Sequence, residues 1–125
     1  MKKVIETDKA PAAIGPYSQA IEAGGLVFIS GQIPVDPATG QIPEGAEAQA
    51  RQSFSNVMQL LSAAGLTADD VVKTTVFIKN MDDFGTINAV YSEFFKTECP
   101  ARACVEVSRL PKDVLLETEA IAVKQ

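Results

Sequence analysis

The stretch Pro100-Ala101-Arg102-Ala103-Cys104-Val105-Glu106-Val107-Ser108-Arg109-Leu110-Pro111-Lys112-Asp113-Val114-Leu115-Leu116-Glu117-Thr118-Glu119-Ala120-Ile121-Ala122-Val123 holds two alternating runs around a break at Leu110, Pro111, Lys112 and Asp113. Side chains on a strand point to opposite faces with period two. In the first run Arg102, Cys104, Glu106 and Ser108 share a face, with Ala103, Val105 and Val107 on the other. In the second run Leu115, Glu117, Glu119, Ile121 and Val123 share a face, with Leu116, Thr118, Ala120 and Ala122 behind them. Closing the break into an antiparallel hairpin permits a register with Cys104 opposite Glu117. Opposed side chains stand about 5 Å apart, so the expectation is that Arg102, Cys104, Glu117 and Glu119 gather on one patch of sheet. The plain alternative is a set of solvated Arg–Glu pairs worth about 0–1 kcal/mol each.

Outward from this stretch, the remaining elements follow from local pattern. Val4 to Thr7 is expected as a short edge strand, and Pro11, Gly15 and Pro16 interrupt regular structure after it. Tyr17 to Ile21 and Leu26 to Ser30 read as two strands joined by a turn through Gly24-Gly25. Gly31 at the end of the second strand permits a bulge or a close backbone approach. Three prolines and Gly40 make 34–43 a loop. From Glu44 to Ala64, apolar Ala50, Phe54, Val57, Leu61 and Ala64 recur at helical spacing, with Gly65 as the stop signal. Val71 to Lys79 is β-branched and strand-like. Asp82 or Asp83 is the expected cap of a second helix running to about Lys96, with Phe84, Ile87, Tyr91 and Phe94 or Phe95 on its apolar stripe. Asn88 falls one turn after Phe84 on the same side. The order is β-β-β-α-β-α-β-β, which suggests one α+β domain over 1–125 with both helices on one face of the sheet. The other face is left bare, half apolar and half polar, as at an oligomer interface.

Composition narrows the chemistry. At 125 residues and 46% apolar content the chain can build a core without staples. A net charge of −5, with no basic cluster beyond Lys2-Lys3, argues against a nucleic-acid partner. There is no histidine, which removes the commonest general base and metal ligand. Cys99 and Cys104 would be roughly 16 Å apart on an extended strand, too far for the disulfide limit of about 7 Å; two free thiols fit a reducing, cytoplasmic setting. No apolar run approaches the ~18 residues of a membrane span, and the N-terminus has no signal-type apolar region.

The motifs Gly15-Pro16-Tyr17-Ser18-Gln19-Ala20, Ser30-Gly31-Gln32-Ile33-Pro34, Pro100-Ala-Arg-Ala-Cys-Val-Glu-Val, Arg109-Leu-Pro-Lys-Asp and Glu117-Thr-Glu-Ala-Ile-Ala resemble the RidA/YjgF family of reactive-intermediate deaminases. The family has also been described as translation initiation inhibitors and L-PSP endoribonucleases. The resemblance runs over nearly the whole chain. It implies a chorismate-mutase-like α+β fold, a single mixed sheet with two helices on one face, assembled as a homotrimer with a site in each inter-subunit cleft. It implies hydrolysis of enamine and imine intermediates such as 2-aminoacrylate to a 2-keto acid and ammonia, with no cofactor or metal. Between Phe95 and Pro100 this chain has only Lys-Thr-Glu-Cys, shorter than several members, so one rim of the pocket departs from theirs.

Carried over residue by residue, the resemblance makes Arg102 the anchor for a substrate carboxylate, a task its planar fork performs better than lysine. Glu117 becomes the group that places or deprotonates water, for which it needs a raised pKa or a desolvated setting. Cys104 lines the pocket through its backbone; with no base beside it, its thiol is a poor nucleophile. Tyr17, Ser30 and Gly31 are expected to line the ligand site, and Phe84 and Asn88 join them by weaker likeness. The residues alone also allow plainer roles: an ion pair for Arg102, an interface aromatic for Tyr17, a strand end at Ser30-Gly31, and core and cap-neighbour positions for Phe84 and Asn88. Two other functions stay open, a regulatory trimer that binds a small 2-keto acid or amino-acid metabolite without turning it over, and a ribonuclease.

Overall fold

The computed structural model describes residues 1–125. Six strands form one mixed sheet: β1 (Lys3–Ile5), β2 (Ala20–Ala23), β3 (Leu26–Gln32), β4 (Val71–Ile78), β5 (Ala101–Glu106) and β6 (Leu116–Val123), in the order β1-β2-β3-β6-β4-β5. Helices α1 (Ala46–Ala63) and α2 (Phe84–Phe94) lie together on one face. This is the expected α+β arrangement.

Local chemistry explains most boundaries. The β2–β3 hairpin turns through Gly24 and Gly25, both at positive φ, a conformation glycine adopts without steric cost. Helix α1 ends in a Schellman closure: Gly65, at φ 78°, donates to the Ser62 carbonyl at 3.0 Å and Leu66 donates to Leu61 at 2.8 Å. Neither Asp82 nor Asp83 caps α2 with its side chain. Asn80 does the work one turn earlier, accepting from the Asp82 N–H at 2.9 Å to start a single 3-10 turn that leads into the helix. Tyr17 lies outside β2, which begins at Ala20.

The expected final hairpin does not form. β5 runs parallel to β4, with Arg102 beside Thr74 and Cys104 beside Val76. β6 inserts between β3 and β4, antiparallel to both, with Glu117 beside Phe77. Cys104 and Glu117 are therefore separated by β4 and are not opposed. Parallel neighbours need a crossover, and α2 supplies one between β4 and β5. The connection 107–115 is longer than a tight hairpin loop and carries the chain across the end of β4. Burial follows from this order. β6 is central, and Leu116, Thr118, Ala120 and Ala122 are all buried beneath the helices. β5 is an edge strand and mostly exposed.

The core lies between sheet and helices, built from Phe54, Val57, Leu60 and Leu61 of α1, Ile87, Val90 and Tyr91 of α2, and Val27, Ile29, Val76, Ile78 and Leu116 of the sheet. The opposite face has no covering layer in the chain. Phe28 and Val105 remain 42% and 43% exposed there.

Candidate functional site

Period two decides where the expected residues point. Arg102 and Cys104 lie on the helix side of β5, and Glu117 and Glu119 lie on the open side of β6. The expected single patch is thus split into two groups on opposite faces of the sheet.

The helix-side group is organised by α2. Arg102 Nη1 donates to Asn88 Oδ1 at 2.8 Å. Its guanidinium carbon stands 4.6 Å from the Tyr91 ring centroid and 5.7 Å from that of Phe84, within range of cation–π attraction. Tyr91 is itself held, its hydroxyl 2.7 Å from Thr74 Oγ1, and Thr74 is the register neighbour of Arg102. Arg102 belongs to none of the chain's ion pairs, so the solvated Arg–Glu pair is not its role. A side chain with four rotatable bonds is held by one hydrogen bond and a ring face, and the rest of its fork is open to a ligand. Phe84 and Asn88 do join Arg102. Tyr91 was missed because an aromatic on an apolar helix stripe reads as core; the spacing Phe84, Asn88, Tyr91 (i, i+4, i+7) marks the shared face.

Cys104 sits beside this group, partly buried. Burial pushes its thiol pKa up and Arg102 pulls it only partly back. That leaves the thiol protonated, a weak nucleophile.

The open-side group lines a cavity of about 500 Å³ bordered by Ile14, Tyr17, Ser30, Gly31, Glu117 and Glu119. Tyr17 is half exposed. Ser30 Oγ donates to the Ser18 carbonyl at 2.6 Å, so its lone pairs are left to accept. The β3–β6 register shifts between Ile29 and Gln32, and this bulge brings Gly31 against Glu117. A Cβ on Gly31 would collide with Glu117 Oε2 and stand 2.8 Å from Cδ. Only the Glu117 carboxylate where it now stands excludes a Cβ there, since the φ of Gly31 is not in the left-handed region. Partial burial raises the Glu117 pKa, and the neighbouring charge of Glu119 raises it further. A carboxyl shifted towards neutrality is suited to taking and returning a proton. No three cysteine, aspartate or glutamate side chains gather as a metal site, and no helix is long and apolar enough to cross a membrane.

The chain matches known proteins from end to end. The family model described as Endoribonuclease L-PSP matches residues 7–124. A RutC family protein of Haemophilus influenzae is 60% identical over 129 residues, spanning 100% of this chain and 99% of its own. A 2-iminobutanoate/2-iminopropanoate deaminase of Escherichia coli is 56% identical over 128 residues, spanning 100% of both chains. Among solved structures, Escherichia coli TdcF with bound serine superimposes with a TM-score of 0.95 at 55% identity, over 98% of this chain and 99% of that one.

Proposed function

This chain belongs to the RidA/YjgF family, and we propose that it is a 2-iminobutanoate/2-iminopropanoate deaminase, releasing a 2-keto acid and ammonia, working as a homotrimer. The observation that carries the assembly is the split site: Arg102 with Asn88, Phe84 and Tyr91 on one face, Glu117 with Tyr17, Ser30 and Gly31 on the other. One chain cannot bring both groups onto one small molecule, and a second copy docked head to tail can. Such contacts close into a ring when the rotation fits. The bare sheet face, with Phe28 and Val105 exposed, supplies apolar area for the contact.

In this reading Arg102 of one subunit grips the substrate carboxylate. The C2 carbon of the protonated imine then faces Glu117 of the next subunit. Water adds to C2, forming the C–O bond, while Glu117 takes a water proton. The resulting carbinolamine nitrogen receives that proton back. The C–N bond breaks as the ionised Glu117 takes the hydroxyl proton and the carbonyl forms, and Glu117 hands that proton to the departing ammonia, which leaves as ammonium. The imine already reacts with water, so the protein contributes orientation and placed charge. The residues supply this without a metal or organic cofactor. The ligand class is small imino and 2-keto acids. The two unpaired thiols suit a reducing compartment, and we place the protein in the cytoplasm.

The family description also names an endoribonuclease. The cavity around Glu117 carries two carboxylates and no lysine or arginine of its own, and the proposed cleft adds Arg102 alone, poor terms for holding a phosphate backbone. The decisive experiment mixes Arg102→Ala with Glu117→Gln subunits. Each variant alone should be inactive on freshly generated 2-aminoacrylate. Random assortment in a shared-site trimer should restore roughly a quarter of the sites. No recovery from verified mixed trimers would refute the shared site, and light scattering at the mass of one chain would refute the assembly.

A further inference from the structure

We propose that Ser53 and Asn56 of α1 are positioning residues for the reaction at Glu117, holding the backbone of 30–35 on the one path that lets Gly31 lie against that carboxylate. The inference rests on the deaminase reading for the reaction, and on geometry for the positioning.

Both residues break the pattern of their helix. The core-facing side of α1 is apolar at Ala50, Phe54, Val57, Leu60 and Leu61, yet Ser53 and Asn56 are 0% and 1% exposed among them. Buried polar groups cost stability unless fully bonded, and such breaks in an otherwise consistent pattern are expected near functional sites. Apart from a bond with Gln52 inside α1, their bonds go to the end of β3 and just beyond it, and to Thr118 opposite on β6. Ser53 Oγ lies 2.7 Å from the Gln32 carbonyl and 3.0 Å from Thr118 Oγ1. A hydroxyl has one proton, so with the carbonyl taking it, Thr118 donates to Ser53. Asn56 Nδ2 donates to the carbonyls of Ile33 and Val35 at 3.1 and 3.0 Å, while its Oδ1 accepts from Gln52 at 2.9 Å. Gln32 Nε2 donates to the Ser30 carbonyl at 3.0 Å.

The carbonyls of Ser30, Gln32, Ile33 and Val35 are thus held by side chains. The β3–β6 ladder is interrupted between Ile29 and Gln32, and β3 ends at Gln32; backbone groups that lose strand partners must find others. α1 provides them. Its anchors touch both strands of the cavity floor, since Gln32 follows Gly31 and Thr118 follows Glu117 in the chain. Fixing Gln32 against Thr118 fixes how closely Gly31 approaches Glu117, hence how much water reaches the carboxylate. The groups facing Glu117 are Glu119 on its own strand, Tyr17 from the N-terminal loop, uncharged Ser30 and Gly31 on β3, and uncharged Phe77 and Thr75 on β4. Lys112 lines the adjoining cavity. None of these is replaced in the Ser53, Thr118 and Asn56 variants that test the proposal.

The test uses the assembled protein. In Ser53→Ala, kcat for imine hydrolysis should fall about tenfold, as small misplacements of reacting groups do. Pyruvate affinity, which reports on Arg102 across the sheet, should stay within about twofold of the parent. The titration of Glu117, followed by carbon NMR of its carboxyl, should move to lower pH as water enters. Thr118→Val should act like Ser53→Ala, and Thr118→Ser, which keeps the hydroxyl, should recover the parent values. Asn56→Ala should show the same pattern more strongly; should it not fold, the Ser53 and Thr118 variants decide the matter. Lower melting temperature with kcat and the Glu117 titration unchanged would reduce the network to a structural role and overturn the proposal. Should the parent protein turn over no imine, the deaminase reading fails by itself, and the NMR titration still decides whether Ser53 governs the setting of Glu117.

Discussion

Arg102 and Glu117 stand on opposite faces of one sheet, on strands that are separated by β4. The two residues best suited to bind and to hydrolyse a small imino acid cannot meet within a single chain. In the proposed reading, that separation makes the function a property of the assembly.

Arg102 is prearranged by Asn88 and by the Tyr91 ring. Arg102→Ala should cost on the order of 2–5 kcal/mol in binding pyruvate, the loss expected when one partner of a charge-assisted pair is removed. Arg102→Lys should recover only part of it, because a point charge lacks the fork. Tyr91→Leu should weaken pyruvate binding with the guanidinium still present. Calorimetric titration of the three variants checks this, and unchanged affinity in Arg102→Ala would end the assignment.

Gly31→Ala introduces a single methyl where Glu117 already lies. Its backbone conformation suits alanine, so the effect falls on the carboxylate. Turnover should drop at least tenfold, in line with the cost of misplacing a reacting group, while the variant keeps the parent's mass in solution and its affinity for pyruvate. Steady-state kinetics alongside light scattering would show it.

The raised pKa of Glu117, from burial first and Glu119 second, has a sign for both stability and rate. A group whose folded pKa lies above its unfolded value contributes stability at low pH that is lost as pH rises through the folded pKa. Ionised Glu117 therefore weakens the fold near neutral pH. Glu117→Gln should melt higher than the parent at pH 7, and the gap should close below about pH 4, where the carboxyl is protonated in both states. Glu119→Gln should shift the acid limb of kcat to lower pH. Melting curves and pH–rate profiles read both effects; a Glu117→Gln variant less stable at pH 7 would contradict them.

Cys104 has its thiol raised by burial, and only its backbone is asked to face a ligand. Cys104→Ser should keep most of the activity. Loss of turnover in a folded variant with the parent's assembly state, or a covalent adduct on Cys104 found by mass spectrometry, would reverse this view.

Much of the architecture is written in local pattern. The stripe Ala50, Phe54, Val57 and Leu61 makes α1 a helix, Gly65 ends it, and Gly24-Gly25 turns the first hairpin. Alternation along 102–106 and 116–123 correctly groups the side chains that share a face within each strand, though not across the two, since Arg102 and Cys104 turn to the helix side and Glu117 and Glu119 to the open side; the missing histidine narrows the chemistry before any fold is known. Those signals act over a few residues, and one chain carries them complete. Strand order is different. Whether β6 pairs with β5 or slips between β3 and β4 depends on total burial: the face of Leu116, Thr118, Ala120 and Ala122 is apolar enough for the centre of the sheet, beneath α1, while β5 is tolerable at an edge. That choice sums contacts from residues 26 to 123, and no window of sequence contains it. It also decides the site, since inserting β4 between Arg102 and Glu117 turns an expected patch into two halves. The bulge that presses Gly31 against Glu117 was foreshadowed by a glycine at a strand end; only the packing of Ser53 and Asn56 against the departing strand shows what holds it.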